Sequence, residues 1–470
     1  MKNLLNVSLV IVGFSLLMAC SDSDAEQLVF PISGRVIDVE TDKPIAGVTI
    51  TILDNGPSAI TNKNGAFNFS DSNLVDIQEI SISGSTELAV SIIHPDYRPK
   101  EINLPLNGQT SIKISSKDAS VYSYHRPVQI SDGLTTGTLE DVNLDPLFIQ
   151  GMMNNLYSES YKEVHSVLVY KSGKLVLEEY YFGNNDTIQF ENGIKVDNTP
   201  APIQWSRTEK HYVASVNKAL TSTVIGIALD QHNVAITDRI SPYLPQYSEY
   251  FTDPNKGDLD FEDCLTMTAG FTWDEWSSND LALLWVSDEF GDFLLSRNNL
   301  GAQSEWRYNS ALPNLMLKAI DEMVEGNVRD WADQNFYQKL GITDYNWQSQ
   351  PDGYPEGSAR MFIRPRDMLK VGITYLNGGV WNGEQVIPSS WVDACFESKV
   401  PAGDYSYYFW LRTLDGVTYL SADGDGGNYI NIFPEQDMVV VFTQGLYLKW
   451  PTYVNQADDM MKNYIFPALN

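Results

Sequence analysis

His211-Tyr-Val-Ala-Ser215-Val-Asn-Lys218-Ala-Leu-Thr-Ser-Thr-Val-Ile-Gly-Ile-Ala228 is the stretch that decides the fold. Val216, Ala219, Leu220, Val224, Ile225, Ile227 and Ala228 give it an apolar body, and the run closes near Asp230. That pattern predicts a helix with Ser215 at its N-terminus. Free N–H groups and the helix dipole favour negative charge there, which suits an alkoxide or an oxyanion. A serine hydroxyl is a weak nucleophile until a neighbouring base takes its proton. Lys218, three residues on, lies on the same helix face, about 5–6 Å away between Cβ atoms. A lysine desolvated on a largely apolar helix is suited to that basic role. Of the 19 lysines, Lys218 is the only one with a serine three positions before it. Spacing alone leaves a second reading open, a surface lysine one turn after an N-cap serine.

The stretches around it extend the pattern. The 211–228 segment resembles the first motif of the serine beta-lactamase and penicillin-binding superfamily, and most of all that of class C beta-lactamase-related serine hydrolases. Asp238–Tyr247, Phe261–Gly270 (Phe-Glu-Asp-Cys-Leu-Thr-Met-Thr-Ala-Gly), and Arg364–Lys370 with Gly378–Gly383 resemble further blocks of that family in the same order. The similarity runs from about 160 to 470. It implies an α+β, beta-lactamase/transpeptidase-like fold, an antiparallel sheet flanked by helices with a helical subdomain. The family's second motif, Tyr-x-Asn or Tyr-x-Ser, matches Tyr308-Asn309-Ser310. It implies a catalytic Tyr308 beside Lys218, since a phenol is a useful base only next to a cation, and a substrate-side Ser310. The third motif, usually Lys-Thr-Gly or His-x-Gly, falls at Ala422-Asp-Gly424-Asp425-Gly426-Gly-Asn-Tyr429, which has neither lysine nor histidine. Gly424, Asp425 and Gly426 are the expected oxyanion and substrate contacts, one strand N–H acting with that of Ser215. The glycines are expected to admit a substrate backbone close to the strand. Asp423 or Asp425 is expected to repel anionic substrates and attract amines.

Local patterning agrees with strands drawn from both ends of this region. Val164–Tyr170 and Leu175–Phe182 flank Lys171-Ser-Gly-Lys174, a hairpin signature. Tyr429–Phe433 and Met438–Thr443 flank Pro434-Glu-Gln-Asp437, a second hairpin, and Thr452–Ile465 reads as a closing helix. Helical stretches such as Leu312–Val324 lie between, which argues α+β. Residues 151–470 therefore form the expected hydrolase domain, and 118–150 read as a connector. Residues 28–117 read as all-β, with short alternating strands and breaker-rich turns at 42–47 and 62–65. The order Gly-Arg-Val, Pro-Ile-Ala-Gly-Val, Thr-Asn-Lys-Asn-Gly-Ala-Phe resembles the carboxypeptidase-regulatory-like, transthyretin-like sandwich, a spacer or adhesion module. No catalytic cluster is legible in it, and His94-Pro-Asp96 reads as a loop.

The N-terminus reads as an address. Met1-Lys-Asn3 and the apolar run to Ala19 are too short to span a bilayer and fit a signal peptide, 1–19. Leu17-Met-Ala-Cys20 resembles a bacterial lipobox, which implies lipidation of Cys20 and an acidic tether over 20–27. The expected location is the bacterial cell envelope, lipid-anchored, periplasmic or surface-exposed. With 31 basic and 61 acidic residues the net charge is −30, and loss of Lys2 with the leader makes it −31. Phosphate backbones would repel such a chain, so nucleic acid is excluded as a partner. The three cysteines exclude a four-cysteine zinc site, and the five histidines lack ligand spacing, so no metal or cofactor is expected. Cys264 and Cys395 are expected to be buried free thiols, with a disulfide between them left open.

Together these readings describe a lipid-anchored serine hydrolase that forms an acyl-enzyme on Ser215 from a small-molecule or peptide substrate. A carboxylic ester ranks first, then a small amide or peptide, then a beta-lactam, with beta-lactamase or D-Ala-D-Ala peptidase-type activity as the alternative. The rival is a surface binding protein that has lost activity. Whether Lys218 or Tyr308 is the general base is left open, because the two would titrate as a pair.

Overall fold

The structure is a computed structural model that describes residues 32–69, 86–106, 109–191, 194–196, 200–275 and 277–469. The signal peptide, Cys20 and the tether lie outside the described residues.

A six-stranded antiparallel sheet organises the larger part of the chain. Its order is Trp410–Leu414, Val417–Gly424, Asn428–Phe433, Met438–Gln444, Val164–Lys171, Lys174–Tyr180. Both hairpins expected from sequence are present, and they meet where Met438–Gln444 pairs with Val164–Lys171. Alternation along these strands serves two cores at once. Leu168, Val439 and Val441 face one layer, and Val167, Val169, Val440 and Phe442 face the other. This is why the strands read as nearly continuous apolar runs. Each fully buried Val or Leu contributes about 1.5–3 kcal/mol. Helices Val216–Gln231 and Pro365–Leu376 cover the first face, with Ala311–Met323 behind the former. Pro146–Tyr157 and Thr452–Met460, continued by a wider turn over Met461–Ile465, cover the second. Short helices at Phe261–Leu265, Asp280–Trp285, Phe290–Leu295 and Val328–Ala332 gather beside Ala311–Met323 as the helical subdomain.

Residues 33–114 form two small sheets. One has the order Ala66–Asn68, Ser33–Asp38, Gln109–Ile114, and the other Ser58–Ile60, Thr49–Ile52, Glu87–Ile93, Lys100–Pro105. Val36, Val48, Ile50, Ile92, Leu104 and Ile112 fill the space between them. This unit is fixed to the edge strand Lys174–Tyr180. Lys100 pairs with the buried Glu179, to which Tyr122 also donates. Arg207 Nε lies 3.0 Å from Glu101, and Arg98 sits 4.2 Å above the Tyr157 ring.

The connector segment 118–150 is packed onto the larger part of the chain. Tyr122, Leu139, Val142, Leu144 and Ile149 are buried in the same core as Val167 and Phe442. Helix Pro146–Tyr157 begins inside it, capped by Asp145, whose carboxylate accepts the Leu147 N–H. The apolar residues that make it read as unpatterned are spent on the sheet's second face. Cys264 and Cys395 are both buried and both free.

Candidate active site

The turn into helix Val216–Gln231 is tightly determined. His211–Tyr212 pairs with Met361–Ile363, and Ala214 then takes a left-handed conformation, φ +46°. A non-glycine residue held there is strained, and such strain persists only where the surroundings enforce it. Here it turns the chain sharply, leaving Ser215 partly open between buried neighbours. Ser215 occupies the N-cap position with no side-chain capping bond. Its hydroxyl instead accepts from Lys218 Nζ at 2.9 Å. Lys218 is 1% exposed, and its Nζ also donates to the Ser358 carbonyl at 3.1 Å. The same Nζ lies 4.8 Å from the centre of the Tyr308 ring. The three expected residues are therefore brought together.

A buried carboxylate organises the lysine's second contact. Glu356 is 0% exposed and accepts the N–H groups of Ser358, Ala359 and Arg360 at 3.0, 2.6 and 2.7 Å, together with the Ser358 hydroxyl. These bonds curl the 356–360 loop so that the Ser358 carbonyl faces Lys218. Asn217 and Thr221, one turn apart, bond the carbonyls of Glu356 and Gly357 at 2.6 and 2.8 Å and stitch helix to loop.

Ser215 opens into a cleft of about 360 Å³, the lower part of the range for small-molecule sites. Trp306, Tyr308, Trp410, Tyr429, Trp450 and Tyr453 give it an aromatic wall. Tyr308 stacks on Trp410, with ring centres 6.2 Å apart and planes at 22°. Glu275, Arg412, Asp423, Gly424 and Asp425 supply the polar part.

Three expectations need correction. Ser310 does not face the cleft. It is 1% exposed, and its hydroxyl and N–H both donate to Glu275. Gly424 lines the cleft and is also packed closely against the protein on its other side. A Cβ on Gly424 would lie 2.2 Å from the Val213 carbonyl, so the strand end is pressed against the turn before Ser215. Gly426, at φ +87°, leaves room for the Tyr447 ring and does not line the cleft. The aspartates are engaged as well. Asp423 is ion-paired with Arg412, and Asp425 accepts the Leu448 N–H at 2.6 Å and the Tyr453 hydroxyl at 3.3 Å. The cleft thus has a cation in its wall, on the strand neighbouring the motif rather than within it.

Sequence reasoning missed Glu275, Glu356, Arg412 and the tryptophans at the mouth. Glu275 had a faint signal, the second of two acids five residues after the Thr-Met-Thr-Ala-Gly block. It is 7% exposed, and burial pushes its carboxyl above the usual range despite the opposing pull of Lys218 and three donors.

The beta-lactamase family model matches residues 162–449, well over half of the chain. The chain belongs to the beta-lactamase family. Over 257 residues it is 22% identical to a 6-aminohexanoate-dimer hydrolase of Paenarthrobacter ureafaciens. That match takes in 50% of this chain and 65% of the relative, just under two thirds of its length. A Bacillus anthracis protein provisionally assigned as a 6-aminohexanoate-dimer hydrolase superposes with a TM-score of 0.55 at 16% identity, over 74% of this chain and 88% of that one. A family VIII carboxylesterase gives 0.51 at 14%, over 67% and 96%. At these identities the likeness establishes the beta-lactamase-type fold.

Proposed function

We propose that the protein is a serine hydrolase that cleaves a carboxylic ester or an amide through an acyl-enzyme on Ser215. The observation that carries this is the 2.9 Å contact between Lys218 Nζ and Ser215 Oγ at the floor of an open aromatic cleft. Ser215 Oγ attacks the carbonyl carbon while its proton passes to the Lys218–Tyr308 pair. The carbonyl oxygen gains charge and is met by the Ser215 N–H and a backbone N–H at the end of Val417–Gly424. The C–O or C–N bond breaks as the pair returns the proton to the departing alcohol or amine. Water then attacks the acyl carbon, and Ser215 recovers its proton. Relatives described as an amide hydrolase and as a carboxylesterase fit this chemistry. An uncharged acyl group ranks first, because Asp423 neutralises the one arginine in the cleft wall. A beta-lactam or peptide carboxylate would have to compete with it. The intact Ser215–Lys218 contact weighs against an inactive binding protein.

The proposal places the protein at a bacterial cell envelope, held by lipid on Cys20, with the 28–117 unit as spacer. Incubation with a fluorophosphonate and with nitrocefin, followed by intact-mass measurement, tests the chemistry. Wild type should gain one adduct and Ser215→Ala none. Absence of any adduct on wild type would overturn the proposal.

A further inference from the structure

Glu275 is a buried carboxylate for which the chemistry above has no role. It lies in the wall of the cleft that holds Ser215. Its Oε2 accepts Trp273 Nε1–H at 2.7 Å and the Ser310 N–H at 3.2 Å, and its Oε1 accepts the Ser310 hydroxyl. Ser310 occupies the N-cap position of helix Ala311–Met323 without a side-chain capping bond and stands two residues after Tyr308. The carboxylate therefore ties the Phe271–Glu275 segment to the end of the motif that carries the phenol. The charged and titratable groups that act on it are Lys218 of helix Val216–Gln231 and the buried Tyr405, and Tyr308, whose ring centre lies 4.8 Å from Lys218 Nζ, lines the same cleft.

An ionised carboxylate in this position is costly unless its charge is used, since hydrogen bonds from neutral donors offset only part of the desolvation. Two of its three bonds come from one residue, which fixes the direction of the carboxylate. When Ser215 attacks, its proton adds positive charge to the Lys218–Tyr308 pair. A fixed anion beside that pair favours the charged arrangement at the moment it forms. A glutamine would fill the same volume and could still accept hydrogen bonds, but it would supply no charge.

We infer that Glu275 is a positioning residue of the acylation step, holding the Tyr308 segment through Ser310 and acting as counter-charge to the proton received from Ser215. The inference rests on the proposed Ser215 chemistry and assigns Ser310 a part in it through Glu275 rather than through the substrate. The full chain is tested in four forms, wild type, Glu275→Gln, Ser310→Ala and Ser215→Ala. Fluorophosphonate labelling rates are measured from pH 5 to 9, with the thermal midpoint of each form as a check on folding. Glu275→Gln should lower the plateau rate about tenfold to a hundredfold. It should also move the low-pH limb down by about one pH unit, because positive charge on the pair is no longer favoured. Ser310→Ala removes one donor but leaves the carboxyl in place, so it should lower the rate and move the limb far less than Glu275→Gln does. A Glu275→Gln profile that superimposes on wild type, or differs only by a uniform drop that Ser310→Ala reproduces, overturns the inference. If wild type itself is not labelled, the Ser215 reading fails instead, and the two failures are distinct.

Discussion

Arg412 and Asp423 are ion-paired across the edge of the catalytic cleft, eleven residues apart in sequence and on neighbouring strands. Both line the cleft, and the carboxylate holds the guanidinium firmly protonated. The pair offsets the negative charge that Asp423 would otherwise present to the cleft. Arg412→Gln leaves Asp423 as an uncompensated, mostly buried anion. The ratio of kcat/KM for amine-bearing over neutral esters should then rise about tenfold, the effect of one charge newly felt at short range. Paired kinetics on two isosteric p-nitrophenyl esters measure it, and an unchanged ratio would remove Asp423 from substrate selection.

Glu356 is a second test of the lysine's setting. Five donors converge on its carboxylate, Asn314 Nδ2 at 3.3 Å being the fifth, and a glutamine there turns an N–H₂ toward some of them. Glu356→Gln should lose about 3 kcal/mol of stability. Fluorophosphonate labelling should slow at least tenfold, because the Ser358 carbonyl no longer steadies Lys218. Urea denaturation and labelling rates read the two effects separately.

His211 gives a pH dependence with a definite sign. Its Nδ1 lies 2.9 Å from the Tyr212 carbonyl and its Nε2 2.8 Å from His165 Nδ1. The first contact needs a proton on Nδ1, which leaves Nε2 to accept, so the ring is neutral. Burial, reinforced by His165, pushes its pKa well below 6.5. The unfolded chain therefore binds the extra proton more readily than the folded one. The contribution of His211 is present above about pH 6.5 and is lost as pH falls below it, by about 1.4 kcal/mol per pH unit. His211→Asn should flatten the stability profile between pH 6.5 and 5 by that slope. Equal slopes in the two proteins would show that His211 is protonated in the fold.

Trp450 is 73% exposed at the mouth of the cleft. Trp450→Ala should raise KM for bulky aryl esters about five- to tenfold through lost aromatic contact. Labelling by a small alkyl fluorophosphonate should be unaffected. A parallel loss on both would mean that Trp450 shapes the cleft rather than contacting substrate.

Cys264 and Cys395 are buried, and burial raises both thiols above their ordinary range. Neither should react with Ellman's reagent in the folded protein. After denaturation, protein purified from membranes should release two equivalents if Cys20 is lipidated and three if it is not. The count thus also tests the proposed anchor.

What the sequence disclosed about the site was what local geometry carries. Ser215 and Lys218 are one helical turn apart, so their contact follows from the helix alone. The two hairpins were legible for the same reason, since turn and strands adjoin. Tyr308 was found by its order along the chain, and its ring does meet Lys218. Ser310 was misplaced because its fate depends on Glu275, 35 residues upstream, which captures both its donors. Glu356 and Ser358 act on the nucleophile helix across about 140 positions, and no periodicity connects them. Gly424 and Gly426 were expected to admit a substrate backbone, and both are places where the protein packs closely on itself. The partner that approaches, Val213 or Tyr447, is a matter of tertiary packing.

The junction of Val164–Lys171 with Met438–Gln444 has a consequence for how the chain is made. Ser166 and Thr443 bond at 2.7 Å across 277 positions. At ordinary rates of synthesis, roughly 15 to 55 s separate the two residues. Through that interval the first hairpin presents a long apolar edge with no strand to cover it, a template for pairing with any neighbouring chain. The last strand to be made is the one that closes the middle of the sheet. Truncation before residue 438 would leave the hairpin permanently open, and aggregation, rather than a smaller active enzyme, is the expected product.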